Sequence, residues 1–405
     1  MKRYMIILSL LVTLVLITLV SSVMSADRPH LQTVVEGNTA FALELYHALR
    51  KDDGNLFLSP YSISTALAMT YGGARGDTAL QMAETLHFCL DQKQLHPAFA
   101  RLRSELNAVQ KKGGVQLHTA NSLWPHKDYP FLKEYLAFSK KFYGASIRSV
   151  DYKTASEKAR TRINGWVEKE TEDKIKDLIQ PGVLTPLTRL VLVNAIYFKG
   201  NWARQFKKSL THDAPFHLTP EKAVQAPFMS QEHTFRYGEN EGLQILELPY
   251  EGDDLAMLIL LPKRVAGLAE LEKTLSPEKL DQWITHLREQ KIEVFVPKFK
   301  LVSSFSLNET LVSMGMRDAF DQTKANFAGM DGTTLLYISA AIHQAVVEVN
   351  EEGTEAAAAT GIVMGLKAMP AQPTTFRADH PFIFLIRDNR NGSILFMGRA
   401  IDPTP

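Results

Sequence analysis

The chain is almost without cysteine: Cys89 stands alone in 405 residues. No internal disulfide can form, and no thiolate pair is available to hold zinc. Cys89 lies in Leu86–His87–Phe88–Cys89–Leu90, an apolar setting that predicts a buried, inert thiol. A charge excess of either sign is also missing, with 45 Lys+Arg against 44 Asp+Glu and a formal net charge of +1. That balance gives no footprint for nucleic acid or a membrane surface. The 12 histidines never fall in HExxH spacing, and neither a GxSxG elbow nor a phosphate-cradling glycine loop occurs. The residues therefore offer no catalytic group, no metal-ligand set and no cofactor site, and the protein is not expected to be an enzyme. No repeat, low-complexity tract or Gly/Ser linker divides residues 27–405, which read as one domain long enough for a large core.

What is present begins with a leader. Lys2 and Arg3 form a basic head, Met5 to Val20 is almost wholly apolar, and Ser21 to Ala26 is mostly small and polar. This layout predicts a secretory signal peptide over residues 1–26. An uncleaved anchor is the alternative, since Met5 to Met24 is long enough to span a bilayer. Cleavage would take the formal charge from +1 to −1 and leave a monomer with no stable membrane association. The expected location is secreted or extracellular, or periplasmic or cell-surface in a bacterial source.

Ser59–Pro60 has the form of a helix start, serine as N-cap and proline in the first turn. Ile63, Ala66, Leu67 and Thr70 follow at helical spacing until Gly72–Gly73, and the helix lacks a charged face. Leu190 to Phe198 (LVLVNAIYF) reads as a central strand covered on both faces. Its one polar member, Asn194, needs partners, because an unsatisfied buried amide costs about 1–3 kcal/mol. From Ile342 to Asn350 the residues alternate, with His343, Ala345, Val347 and Val349 on one face. Ile292 to Val296 and Ile383 to Ile386 are further strands, and Ser156 to Ile179 reads as helical. Helices and strands intersperse without a regular βαβ beat, which predicts a mixed α+β class.

Four polar groups, Ser59, Ser62, Asn194 and His343, thus fall in apolar settings and are expected to share one hydrogen-bonded cluster. Other motifs carry bland readings. Arg75–Gly76–Asp77 reads as a helix-end turn rather than an adhesion signal. Asn308–Glu309–Thr310 and Asn391–Gly392–Ser393 are glycan-acceptor triplets of a kind common by chance. Lys111–Lys112 with Arg101 and Arg103 reads as a solvated helix face rather than a polyanion site.

The most informative stretch is residues 350–370, NEEGTEAAAATGIVMGLKAMP. Gly353, Thr354 and then Ala356 to Ala359 are all small, and a lone basic residue, Lys367, precedes Ala368. In strand geometry side chains alternate, so Thr354, Ala356, Ala358, Thr360, Ile362 and Met364 share one face. That set should face inward, because the opposite phase would bury Glu355 at a cost of several kcal/mol. Gly353 to Gly365 would span about 43 Å when extended.

The chain resembles the serpin family over residues 30–405. The carrying motifs are Asn55 to Ile63 (NLFLSPYSI), Leu190 to Trp202 (LVLVNAIYFKGNW), Val296 to Lys300, Gly315 to Phe320, Phe327 to Gly329, Gly353 to Thr360 and Asp379 to Ile386. The resemblance implies three β-sheets, eight or nine helices and an exposed reactive-centre loop over about residues 351–376. It implies a suicide mechanism, in which a target serine protease cleaves the loop and forms an acyl-enzyme. The loop then inserts into the main sheet and a covalent 1:1 complex results. It assigns Glu351, Gly353, Thr354, Glu355, Ala356, Ala357, Ala358 and Ala359 to the hinge. Ser59, Ser62, Asn194 and His343 become the shutter, where the sheet parts, and Trp202 the breach at its upper end.

Counting the family's loop length from Glu351, and counting back from Pro381–Phe382 as in long-loop members, both put the cleaved bond at Lys367–Ala368. Lysine there suits the acidic pocket of trypsin-like proteases. Slippage to Leu366 would invite chymotrypsin-like or subtilisin-like enzymes, and slippage to Met364 an elastase-like one. Two other readings stay open: a non-inhibitory binding or chaperone protein on the same fold, and a cross-class inhibitor of cysteine proteases.

Overall fold

The computed structural model describes residues 29–50, 54–128, 130–354 and 374–404. Its helices are α1 (residues 29–49), α2 (Pro60–Tyr71), α3 (Gly76–Thr85), α4 (Gln92–Gln110), α5 (Lys133–Phe138), α6 (Tyr152–Glu170), α7 (Leu268–Thr274), α8 (Pro277–Thr285), α9 (Asn308–Ser313) and α10 (Ala328–Asp331). The strands are β1 (Leu56–Leu58), β2 (Val115–Pro125), β3 (Ser146–Ile147), β4 (Leu190–Asn201), β5 (His212–His217), β6 (Ala223–Glu239), β7 (Leu243–Pro249), β8 (Leu255–Pro262), β9 (Arg288–Pro297), β10 (Phe299–Ser306), β11 (Ala340–Val349), β12 (Gly353–Thr354), β13 (Thr374–Arg377), β14 (Phe382–Asp388) and β15 (Ile394–Ala400).

The class is mixed α+β, as expected. The strands join into two hydrogen-bonded sheets among the described residues. A nine-stranded sheet runs β1-β15-β14-β8-β7-β6-β9-β13, with β5 also on β6, and a six-stranded sheet runs β10-β11-β4-β2-β3, with β12 added on β4. Where a third sheet was expected, β6 makes two continuous. This 17-residue strand pairs with β5 near its start, with β9 along its middle and with β7 over Arg236–Glu239.

Alternation along β4 explains why the six-stranded sheet is covered twice. Leu192, Ile196 and Phe198 enter the main core, whereas Val191, Val193, Ala195 and Tyr197 enter a second core with Trp124, Ile163, Val167 and Ile179. Asn194 falls on the main-core face, under α2. That helix begins as predicted: Ser59 is the N-cap, its side chain accepts from the Ser62 N–H, Pro60 occupies the first turn, and Gly72 closes it. Every residue from Pro60 to Tyr71 is buried.

Two expectations are corrected. The predicted helix from Ser156 to Ile179 starts earlier and ends at Glu170. Glu172, Asp173 and Asp177 adopt φ of 50°, 61° and 49°, left-handed values that no α-helix continues through. Ile175, Leu178 and Ile179 are nevertheless buried, because the turned chain folds back over the sheet. Cys89 is exposed, not buried. His87 turns through a φ of 54°, sending Phe88 and Leu90 against the core and leaving the thiol outside.

Candidate functional site

The polar residues picked out in the sequence meet on one rung of the six-stranded sheet. β4 and β11 run parallel, and His343 stands opposite Asn194. β2 is antiparallel to β4, and Asn121 stands opposite Asn194 from the other side. Helix α2 lies over this rung with Ser59 and Ser62 at its start. His343 Nε2 accepts the Ser59 N–H at 3.1 Å, so Nδ1 carries the proton and donates to Asn194 Oδ1. That fixes the amide: Asn194 Nδ2 donates to Ser62 Oγ at 2.7 Å and to Asn121 Oδ1 at 2.7 Å. Ser62 Oγ donates to Asn121 Oδ1 at 3.1 Å, and Ser59 Oγ donates to the Leu395 carbonyl at 2.7 Å. Ser59, Ser62, Asn194 and His343 are all buried, and each is satisfied. Burial in this apolar surround lowers the His343 pKa to about 3, so the ring is neutral as the bonding requires.

Asn121 was not singled out in the sequence. It stands among Thr119, Ala120, Ser122 and Leu123, next to other polar residues, and only the strand pairing reveals its place.

The second half of the site lies at the upper end of the same seam. Pairing between β4 and β11 stops at Tyr197 and Val346. Beyond it the strands part, and β12 takes the opening, with Gly353 opposite Asn201 and Thr354 opposite Gly200 on β4, antiparallel. Gly353 has a φ of +153°, and a Cβ there would sit 2.0 Å from the Gly200 carbonyl oxygen, so only glycine fits. The Thr354 side chain is fully buried, and its hydroxyl is 3.0 Å from that of Tyr250. The inward phase expected for Thr354 is therefore the one observed.

Trp202 clamps the turn that leads into β12. Its backbone N–H donates to the Glu352 carbonyl and its indole N–H to the Asn350 carbonyl, both at 3.0 Å. The ring stacks on Tyr250 with centroids 4.7 Å apart. Glu351 is buried between Lys298 Nζ at 3.0 Å and the Thr211 hydroxyl at 2.8 Å. Burial alone would raise the Glu351 pKa, but these donors outweigh it and hold the carboxylate below its ordinary value. Glu352 pairs with Lys208 at 2.6 Å. Thr211, Lys208 and Tyr250 carry no sequence signal of their own, and Lys298, though inside the Val296–Lys300 motif, shows its partner Glu351 only once the strands are paired.

Glu355, Ala356, Ala357, Ala358, Ala359, Met364, Leu366, Lys367 and Ala368 lie outside the described residues. The discounted motifs are occupied. Arg75 donates to the Gly72 and Ala74 carbonyls, and Asn308 spends both ends of its amide on Ser339 and Ala341. Arg101 pairs with Glu105 and Lys112 with Asp254, which divides the basic face.

Two outcomes follow from the rung. His343→Leu strips the acceptor from Ser59 and the donor from Asn194, leaving buried groups unsatisfied at about 1–3 kcal/mol each. We expect latent or polymeric forms after prolonged warming, seen as altered mobility on native gels; persistent monomer would contradict this. The second outcome concerns pH. A histidine in the unfolded chain titrates near about 6.5 and takes up a proton that folded His343 refuses. This residue's contribution is full above that value and is lost as pH falls toward about 3. Thermal midpoints should therefore drop less in His343→Gln than in the wild type on acidification from about pH 7 to about pH 4.5.

Known proteins agree with this geometry. The family model described as serpin, serine protease inhibitor, matches residues 36–403. Human leukocyte elastase inhibitor is 44% identical over 385 residues, covering 92% of this chain and 100% of that protein. Serpin B6 of Macaca fascicularis is 44% identical over 382 residues, covering 92% and 100%. Uncleaved ovalbumin superposes with a TM-score of 0.83 at 31% identity, covering 92% of this chain and all of that one. These relatives also correct the expected location. They are intracellular serpins without signal peptides, matched end to end by a part of this chain, so the secreted, extracellular or periplasmic placement does not stand. With the family match across nearly its whole length, this chain belongs to the serpin family of protease inhibitors.

Proposed function

We propose that this serpin is a monomeric suicide inhibitor of serine endopeptidases with a trypsin-like pocket. It acts as one domain, residues 27–405, through a reactive loop over about residues 351–376. The observation that carries the reading is β12, a strand already started in the seam with Thr354 buried at its tip. The catalytic serine of the target attacks the Lys367 carbonyl carbon. The bond to Ala368 breaks, its nitrogen leaves with a proton from the protease's histidine, and an ester remains.

The β12 register supports what comes next. Continuing the antiparallel pairing of Gly353 with Asn201 and Thr354 with Gly200 puts Ala356 opposite Phe198, Thr360 opposite Asn194 and Met364 opposite Leu190, where β4 begins. One parallel ladder is lost and two antiparallel ladders are gained. Insertion separates His343 from Asn194 by a strand's width. Thr360 has the phase of Thr354, so its hydroxyl enters the gap and takes up the polar groups that lose each other. Ala356 and Ala358 pass the crowded aromatic end near Phe198 and Tyr250 with little repacking. Glu351 with Lys298, and Glu352 with Lys208, hold the hinge base while the rest moves.

A second reading has its own support. One relative, human leukocyte elastase inhibitor, is named for an elastase, which favours cleavage after Met364 or Leu366 by an elastase-like or chymotrypsin-like enzyme. The product separates the two. With trypsin we expect a denaturant-stable band at the summed mass, and a released C-terminal fragment beginning at Ala368. A fragment beginning at Lys367 or Gly365 moves the bond to Leu366 or Met364. Clean cleavage with no adduct overturns the mechanism and leaves the non-inhibitory binding or chaperone reading. Thr354→Arg puts a charge where Tyr250 now meets a hydroxyl, at a cost of several kcal/mol. This variant is expected to be cut at the wild-type rate and to lose its adduct; a retained adduct would refute the role of Thr354.

A further inference from the structure

Trp283 on α8 stands apart from the other tryptophans. Trp124 and Trp202 spend their indole N–H groups on Ser122 Oγ and the Asn350 carbonyl, and Trp166 packs edge-on against Trp124. Trp283 is half-buried against the core, and among the described residues its N–H has no hydrogen-bond partner. A tryptophan ordinarily finds a partner for its polar end, and one that is part wet and part apolar is suited to contact with another molecule. Two adjoining surface hollows, of about 300 and about 290 Å³, meet at this ring and share it with Asn240 and Lys279. Glu239, Gln282 and His286 line the first, and Arg264 and Glu270 the second. These groups are held in place without being used up. Asn240 Oδ1 accepts the Gly242 and Leu243 N–H groups at 2.9 and 3.0 Å, which fixes the amide and leaves Nδ2 to donate. Gln282 Oε1 accepts from Lys279 Nζ at 3.3 Å, leaving its own Nε2. His286 Nδ1 donates to the Gln282 carbonyl at 2.5 Å, leaving Nε2 as an acceptor. Glu239 pairs with Lys263 at 2.8 Å and retains lone pairs, while the Arg264 and Glu270 side chains pair with nothing among the described residues.

We propose that these hollows bind a neutral oligosaccharide, with two linked sugar rings, one in each hollow, sharing the Trp283 indole. A sugar ring has an apolar C–H face that covers an aromatic surface and a rim of hydroxyls that both donate and accept. The lining supplies both kinds of partner: donors at Asn240, Gln282, Lys279 and Arg264, acceptors at Glu239, Glu270 and His286. A phosphate or sulfate would face two carboxylates and be repelled. A wholly apolar ligand would leave the same groups buried without partners. Each hollow is at the lower end of ligand-site sizes, with room for one small ring. Neither is lined by the six-stranded sheet or the hinge, so the site is separate from loop insertion and holds whether or not the inhibitory reading does.

The test uses the full chain with isotope-labelled indole nitrogens. The probes are chitobiose, cellobiose and mannobiose, their monosaccharides, and a sulfated disaccharide. We expect one indole N–H resonance to shift saturably with at least one neutral disaccharide, at millimolar concentration or below, with affinity about tenfold above that of the matching monosaccharide. The shifting resonance should be missing from Trp283→Phe. In Asn240→Ala, a surface change that leaves the ring in place, it should remain while affinity falls about tenfold. Thermal midpoints of both variants are measured alongside to show that the fold is kept; should Trp283→Phe lose it, Asn240→Ala carries the test. No saturable shift with any neutral disaccharide overturns the site, as does a shift that survives in Trp283→Phe or an affinity unchanged in Asn240→Ala. Binding of the sulfated disaccharide alone overturns the neutral ligand. Equal affinity for monosaccharide and disaccharide overturns the sharing of one ring by two sugar units.

Discussion

The structure depends on how two parallel strands are kept together. β4 and β11 are joined by their backbone ladder and by one buried polar rung, Asn121, Asn194 and His343, sealed from above by Ser59 and Ser62. A rung of this kind differs from aliphatic packing. Its bonds are directional and neutral, and each presupposes its neighbour: His343 accepts from Ser59 only because its other nitrogen donates to Asn194. Separation by one strand spacing, about 4.8 Å, removes the central link altogether. Leucines in the same places would lose contact gradually and could pack again part-way. The polar rung makes the seam closed or open, with little between.

The helix above follows from this. α2 is buried on every side yet carries Ser62, Ser64, Thr65 and Thr70. A wholly aliphatic helix would fill the space as well but could not address the rung. Ser59 does three things there: it caps α2, presents its N–H to His343, and reaches the Leu395 carbonyl on β15. The helix, the seam and the neighbouring sheet are thus fixed through one residue. That the fold is shared with uncleaved ovalbumin describes the scaffold. Function is argued from the hinge and the loop beyond it.

Much of this was legible in the sequence, for physical reasons that differ by element. Ser59–Pro60 and Gly72 announced α2 because capping is local chemistry. The LVLVNAIYF run announced β4 because a strand covered twice has no polar face to hide its pattern. Asn194 and His343 stood out as polar groups in apolar runs. Asn121 did not, because Thr119 and Ser122 beside it are polar as well, and an asparagine in polar company looks solvated. The end of α6 was missed because Ile175, Leu178 and Ile179 keep a buried pattern after the backbone has left the helix. Cys89 was misread because its apolar neighbours are buried while a left-handed turn at His87 points the thiol away. The ion pairs at the hinge base join residues 53 and 144 apart in sequence, a separation no local pattern spans. The secreted location was drawn from the basic, apolar and small-residue layout of residues 1–26, and the relatives correct that location.

The two-residue strand β12 has a consequence best put in the language of nucleation. Growth of ordered structure is limited by its first contact, which fixes several dihedrals for little return, and each later residue adds at lower cost. Gly353 and Thr354 already stand in register on β4, held by Trp202 and by the Glu351 and Glu352 ion pairs. Any strand growing from them starts beyond its nucleus and has no search for alignment left to make. Its rate is then one of propagation, set by how fast the seam unzips ahead of it, and under the inhibitory mechanism proposed above that is a race against hydrolysis of a single ester.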